Sequence, residues 1–362
     1  MKFNNKALRQ TPVDGMTWSQ PMENSVASLA EGIERFDGVE LDLRLTCDGE
    51  LVLHHDRTIA VQDTLQFVED CTLDDVTSRG FDSFDDLISN RQFLKSWTEE
   101  AKFVCLELKI PHPASKAGGG WMNAKKRVTH LQTMMGKTIE KISNVEIDPQ
   151  NTVFYSFHSK VNQVNNKIGG DWNASSLRPV VPPYGSAFVQ KLISLPQFIF
   201  NPLSRLIRRQ QNSGSNLLPI AIEYLEGWTR HLPLGRAGSL HGKGLQRLNR
   251  LRNGLPVVVW QVEERHEEIL LNAGMSPLTD DADPSSKIRK DGTKRKFRPA
   301  TMPNSKTPWH ELNDSERKEQ ISEWRKKWSW QTSLEELSNQ SSSTSLPWQS
   351  ARMLGHRGCG KN

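Results

Sequence analysis

The chain has 362 residues, a formal net charge of +5 and a hydrophobic share of 36%, enough for two ordinary domains or one large α/β barrel with insertions. No apolar run approaches the roughly 18–20 residues that span a bilayer, and residues 1–5 lack the apolar stretch of a secretory signal, so a cytoplasmic protein is expected. Cys47, Cys71, Cys105 and Cys359 fit neither a zinc nor a disulfide framework and predict reduced thiols, while the modest charge suits an anionic substrate or membrane surface as readily as nucleic acid.

Residues 24–36 carry Val26, Leu29, Ala30 and Ile33 at helical spacing, with Asn24 placed to cap. Residues 39–45 alternate apolar with polar, and 50–55 form a second short strand after the turn at Cys47, Asp48 and Gly49. A helical stretch follows over 84–97, then a β-rich run at 103–109, a glycine-rich loop (Gly118, Gly119, Gly120) and a helix over 124–142. Strands are expected at 152–157, 178–181, 219–224 and 256–262, with helices at 242–252 and 263–273. Alternating strands and helices argue for parallel βαβ units. Seven strands, with 351–355 as an eighth, match the strand number of a TIM (β/α)8 barrel.

Two segments read as insertions. Residues 186–209 combine Phe188, Leu192, Ile193, Phe198, Ile199 and Phe200 with Arg205, Arg208 and Arg209. A barrel helix with its loop accounts for them, but apolar bulk beside arginines also suits a headgroup boundary, so peripheral membrane contact through 188–209 stays open. Residues 285–349 start basic, from Lys287 to Arg298, continue as a charged helix with Ile321, Trp324 and Trp328 on one face, and turn serine-rich. Without interleaved aromatics the basic run reads as a solvated connector, and no nucleic-acid partner is expected.

Glu40 and Asp42 lie two apart on a predicted strand, so their carboxylates share a face. Glu107 and Lys109 repeat that spacing on another strand. Charged residues at the C-terminal ends of barrel strands mark an active-site rim, and three converging carboxylates suit a hard cation, Mg²⁺ or Ca²⁺. Surface salt bridges would explain Glu40 and Asp42 equally well taken alone. His54 and His55 end the strand before Asp56, where an imidazole can serve as acid or base near neutral pH or can be structural.

Taken in order, Glu23-Asn24-Ser25, Glu40-x-Asp42, Thr46-x-Asp48-Gly49 and Val52-x-His54-His55-Asp56 resemble the glycerophosphodiester phosphodiesterase family. The likeness continues through Glu107-Leu108-Lys109, Tyr155-Ser156-Phe157, Gly254-Leu255-Pro256, Trp260 and Thr279-Asp280. That family normally opens with Gly-His-Arg-Gly, which this chain carries as Gly355-His356-Arg357-Gly358. The resemblance therefore implies a circularly permuted TIM barrel with its first strand C-terminal. Residues 1–284 would form the main part of the barrel, 285–350 a tryptophan-bearing helix and connector, and 351–362 the first strand.

The resemblance further implies an acid/base pair in His356 and His55, and metal ligands for one divalent cation in Glu40, Asp42 and Glu107. Arg357 and Lys109 would contact the phosphate, Trp260 would wall the substrate pocket, and Glu23 would support the site. The implied reaction is hydrolysis of glycerophosphodiesters to glycerol 3-phosphate and an alcohol. A lysophospholipase D-like activity and a catalytically inactive binding barrel are the alternatives. His158 and Glu263 depart from the family pattern on the alcohol side.

Overall fold

Alternation along Gly38–Leu45 decides the layering. Val39, Leu41, Leu43 and Leu45 join Leu29, Ile33, Phe93, Trp97 and Met134 in one apolar cluster, leaving Glu40, Asp42 and Arg44 on the opposite, inner face. A computed structural model describes residues 10–13, 16–62, 64–168, 170–177, 192–193, 196, 199–226, 240–283, 300–303 and 306–361. Within them the strands are β1 Gln10–Val13, β2 Met16–Ser19, β3 Gly38–Leu45, β4 Leu51–Leu53, β5 Thr58–Val61, β6 Thr64–Phe67 and β7 Phe103–Leu108. Six more follow: β8 Thr152–Ser156, β9 Asn173–Ser176, β10 Leu218–Ala221, β11 Val257–Val262, β12 Ser276–Thr279 and β13 Leu354–His356.

Eight of these strands pair in parallel in the order β10-β11-β12-β13-β3-β7-β8-β9. The two ends of that path meet: the Ser175 hydroxyl donates to the Leu217 carbonyl at 2.6 Å, and the Asn216 N–H to the Ala174 carbonyl at 3.2 Å. Helices including Val26–Arg35, Ala124–Ser143 and Glu264–Asn272 cover the outside, and the result is a TIM-type barrel. Its interior holds Phe103, Cys105, Val153, Tyr155, Leu217, Val258, Leu278 and Leu354.

The expected strand number is right, but two of its members change. β4 is antiparallel to β3 and lies outside the barrel, because the Cys47–Gly49 turn folds it back as a hairpin. The place is taken by β12, four residues that include Pro277 and carry little alternating signal. The strand expected at 178–181 falls outside the described residues; β9, which precedes them, is Asn-Ala-Ser-Ser, a run poor in β-formers. The stretch read as one helix over 84–97 is two, Phe84–Ser89 and Arg91–Glu99, broken at Asn90, whose carboxamide caps the second.

The helix Asp314–Trp328 buries Ile321, Trp324 and Trp328, as its pattern predicts. Trp309, Trp324, Trp328 and Trp330 continue as a row of ring contacts, with the Trp309 and Trp324 centroids 5.6 Å apart. The basic run at 287–298 and most of 178–198 lie outside the described residues. Among the described residues no helix is long and apolar enough to cross a membrane.

Candidate active site

Strand register brings the chemistry together. Asp42 on β3 pairs with Glu107 on β7, and Glu40 on β3 pairs with His356 on β13. Glu40, Asp42 and Glu107 are buried, each with one carboxylate oxygen within 4.8 Å of the others. The Lys109 ammonium bridges two of them, 2.7 Å from Asp42 Oδ1 and 2.6 Å from Glu107 Oε1. Arg357 closes the other side: its backbone N–H donates to Glu40 Oε2 at 3.1 Å, Nε lies 3.2 Å from Asp42 Oδ2, and Nη1 donates to Glu23 Oε1 at 2.8 Å.

Electrostatics divide the carboxylates. Burial pushes Glu40 well above the usual carboxylate range, and Asp42 and Glu107 add to the effect. Burial would also raise Asp42, but the Lys109 and Arg357 charges outweigh it and hold Asp42 well below its ordinary value. Glu107 is raised by burial in spite of Lys109. Lys109 is itself raised, because Asp42 and Glu107 overcome the cost of burying its ammonium. Three buried carboxylates, each with one oxygen within 4.8 Å of the others, make an oxygen-only donor set that fits a hard divalent cation.

The histidines sit in unlike surroundings. His356 is buried, which lowers its pKa, and its Nδ1 lies 2.7 Å from Asp280 Oδ1, a contact that works in the opposite direction. With Nδ1–H given to Asp280, Nε2 is left facing inward, 3.7 Å from Glu40 Oε2. Burial would raise Asp280, but the imidazole's hydrogen bond and charge bring it down to about 2. His55 stands at the mouth, its Nδ1 2.9 Å from Asp56 Oδ1. It lines a cleft of about 630 Å³ together with Glu107, Lys109, Arg57, Trp121 and Phe157. Its neighbour His54 turns away, edge-on to Phe81 at 4.5 Å, and burial lowers it to about 4.

The tail is anchored by fitted contacts. The Gln20 amide donates to the carbonyls of Cys359, Gly360 and Lys361 at 3.2, 3.2 and 3.3 Å. Ser28 Oγ donates to the Arg357 carbonyl at 3.0 Å and accepts from the Cys359 N–H at 2.8 Å. Gly358 adopts φ +89°, and a Cβ there would lie 2.4 Å from the Ser28 backbone, so only glycine lets strand and helix approach this closely. Arg357 and Asn24 hold positive φ values of 52° and 56° without being glycine, a conformation that persists where surroundings enforce it. Burial pushes the Cys359 thiol up to about 12, which leaves it un-ionised beside the site.

Glu23, Glu40, Asp42, Glu107, Lys109, His356 and Arg357 thus form one contact network, with His55 on the adjoining cleft. Trp260 is one step removed: it is half-buried, edge-on to Phe157 at 6.5 Å, and Phe157 is the ring that lines the cleft. Asn24 was expected to cap the first helix, but Ser25 does so. The Asn24 amide instead donates to Asp42 Oδ2 at 2.7 Å and its carbonyl oxygen accepts the Asp42 N–H at 3.0 Å.

Sequence reasoning also missed Asp280 and Arg44. Asp280 stood inside a quoted motif without a role. Arg44 continues the inward i, i+2 row of Glu40 and Asp42; it pairs with buried Glu69 and donates to the His55 carbonyl at 2.8 Å, so one strand carries carboxylates and also fixes the loop bearing His55. The row itself was the available signal.

Fold and site together define a TIM-type α/β barrel whose strand ends gather carboxylates, fixed cations and imidazoles at one rim. Residues 14–176 match the Glycerophosphoryl diester phosphodiesterase family. Similar solved structures include a glycerophosphodiester phosphodiesterase from Thermotoga maritima, 16% identical over 69% of this chain and 84% of that one, with a TM-score of 0.42. Another is an Oleispira antarctica phosphodiesterase in complex with the product sn-glycerol-3-phosphate, 15% identical over 71% and 87%, TM-score 0.45. A third is a glycerophosphodiester phosphodiesterase from Parabacteroides distasonis, 17% identical over 71% and 84%, TM-score 0.44. No curated protein matches the chain.

Proposed function

We propose that this barrel hydrolyses glycerophosphodiesters to glycerol 3-phosphate and an alcohol, using His356 and His55 as the acid/base pair. One observation carries the reading: the motif at the end of the chain meets the acidic motif near its start, with His356 and Arg357 both against Glu40. The segment order is accordingly read as a circular permutation of the family's, since β13 lies between β12 and β3 and parallel to both.

Glu40, Asp42 and Glu107 would hold one divalent cation, Mg²⁺ or Ca²⁺, which supplies positive charge to the phosphoryl oxygens when bound. Arg357 and Lys109 add fixed cations aimed at the same oxygens, pre-oriented by Glu23, Asp42 and Glu107. His356, kept neutral by burial and oriented by Asp280, presents Nε2 to accept a proton. His55, at the mouth with its ring held by Asp56, is positioned to protonate the departing alcohol, which leaves toward the cleft. Trp260 backs Phe157 and so shapes the alcohol side indirectly.

The test is release of glycerol 3-phosphate from glycerophosphocholine, with and without EDTA. Turnover is expected to require the cation, and His356→Ala or His55→Ala should each lower kcat by about 10² or more, the scale for losing a proton-transfer group. A His356→Ala enzyme as active as the parent would remove the acid/base assignment.

A further inference from the structure

We infer that the barrel docks on an anionic lipid surface through the loops that follow β7, β8 and β9. The inference concerns where the protein sits and stands apart from which diester it cleaves. In a barrel of parallel strands, the segments that follow the strand C-termini share one face. Six of the eight large apolar side chains exposed among the described residues lie on three such segments, which belong to neighbouring strands. Trp121 (76% exposed) and Met122 (98%) stand between β7 and helix Ala124–Ser143, and Phe157 (37%) between β8 and helix Val161–Lys167. Leu192 (51%), Ile193 (53%) and Phe200 (65%) stand between β9 and helix Leu203–Asn212. Single exposed apolar side chains need no explanation, whereas an arc of them along one rim marks a contact surface.

Charge names the partner. Lys116, Lys125, Lys126, Lys160, Arg205 and Arg208 are exposed on the same segments or on the helices that follow them. Between Glu107 and Glu223 the sequence holds four acids, Glu140, Glu146, Asp148 and Asp171. Glu140 lies in the last turn of helix Ala124–Ser143 and the other three precede β8 or β9, so all four belong to the opposite end of the barrel. Helix dipoles favour acids at N-termini, and helices Phe84–Ser89, Glu264–Asn272 and Asp314–Trp328 carry them. The three helices behind this arc have none in the first turn, and Ala124–Ser143 places Lys125 and Lys126 there. That pattern costs the isolated chain and suits an anionic partner. Apolar tips flanked by lysine and arginine fit a bilayer with anionic headgroups. A second copy of the chain would instead set the same basic arc against itself across a two-fold axis.

The arc is held ready. Arg127 Nη1 donates to the Gly118 and Gly120 carbonyls at 3.2 and 2.7 Å, which fixes the loop that leaves the Trp121 indole in water. Arg209 Nη1 donates to Asn201 Oδ1 at 2.6 Å and Arg205 to the Phe200 carbonyl, so Phe200 is tied to the helix that follows it. Side chains ordered in advance lose less freedom when a surface covers them. Trp121 and Phe157 also line the cleft beside His55, so docking brings the mouth of the site to the headgroup layer.

The measurement is co-sedimentation of the full chain with vesicles of phosphatidylcholine alone and of phosphatidylcholine mixed with phosphatidylglycerol. The mixed vesicles should bind about ten-fold or more tightly, and added salt should weaken that binding. Met122→Ser combined with Phe200→Ser should weaken it about ten-fold. Lys125→Glu combined with Lys126→Glu should do the same; the helix dipole favours these two changes, so lost binding there is not lost folding. A parent that binds neither vesicle, or both alike, overturns the inference, as does either double variant binding as the parent does. Sedimentation equilibrium reads the rival occupant: a dimer that Met122→Ser with Phe200→Ser dissolves would assign the arc to a second copy and overturn lipid docking. None of these readouts needs turnover, so the docking surface and the phosphodiesterase reading fail separately.

Discussion

His54 and His55 are adjacent in sequence and opposite in environment, which is how a strand end separates packing from chemistry. His54 is half-buried against Phe81, and its enclosed Nε2 has no hydrogen-bond partner; His130 is likewise half-buried, with its enclosed Nε2 unpartnered. Burial, with the Arg44 charge, lowers both to about 4. In the unfolded chain each would titrate near 6.5, so between those values the unfolded state binds the extra protons. Their contribution to stability is therefore complete above pH 6.5 and declines as pH falls toward 4. Urea denaturation should show a loss on the order of 2 kcal/mol per histidine between about pH 7 and 5. His54→Phe, which keeps the ring packing, should remove about half of that loss. An NMR titration placing the His54 ring near its unperturbed value would refute the account. At this scale the sequence was informative about residue type and less so about partner: the i, i+2 rows exposed Glu40, Asp42, Glu107 and Lys109, whereas Asp280 meets His356 across 76 positions and leaves no local trace.

Elements long enough to show a period were legible. β3, β7, β11 and the helices Ala124–Ser143 and Gly242–Arg252 appear within a residue or two of where their patterns put them. β9 and β12 were not, because strands of four residues pack small or irregular side chains into a barrel wall and are specified by their neighbours. The three-residue β13 was found through its motif and not through any strand signal. Its seating depends on Gly358, where helix Val26–Arg35 and the tail touch through backbone. Gly358→Ala should displace Arg357 and His356 together, destabilising by roughly 1–3 kcal/mol or more and lowering kcat by at least ten-fold. Thermal unfolding and the glycerophosphocholine assay read both. A variant with parental stability and rate would show the tail to be less tightly fitted than its contacts indicate.

Across the whole molecule, the site is assembled from segments more than three hundred positions apart: Asn24 donates its backbone N–H to the Arg357 carbonyl at 3.1 Å, and Glu40 accepts from Arg357. A cation bound to Glu40, Asp42 and Glu107 would consequently favour the closed barrel over the open chain. Mg²⁺ or Ca²⁺ at a hundred times its Kd should add about 2.7 kcal/mol, visible as a rise in Tm that EDTA reverses and that Asp42→Asn abolishes; an unmoved Tm at millimolar concentrations of either ion would argue against the site. The same architecture has a cost during synthesis. β12 ends at Thr279 and β13 begins at Leu354, so about 75 residues separate the strand from the slot it fills, and translation at ~5–20 residues per second takes about 4–15 s to cover them. Throughout that interval the flanks of β12 and β3 are unpaired sheet edges, the kind of surface on which nascent chains aggregate or recruit chaperones. Ribosome-stalled chains lacking β13 should therefore crosslink to holdases more readily than released protein.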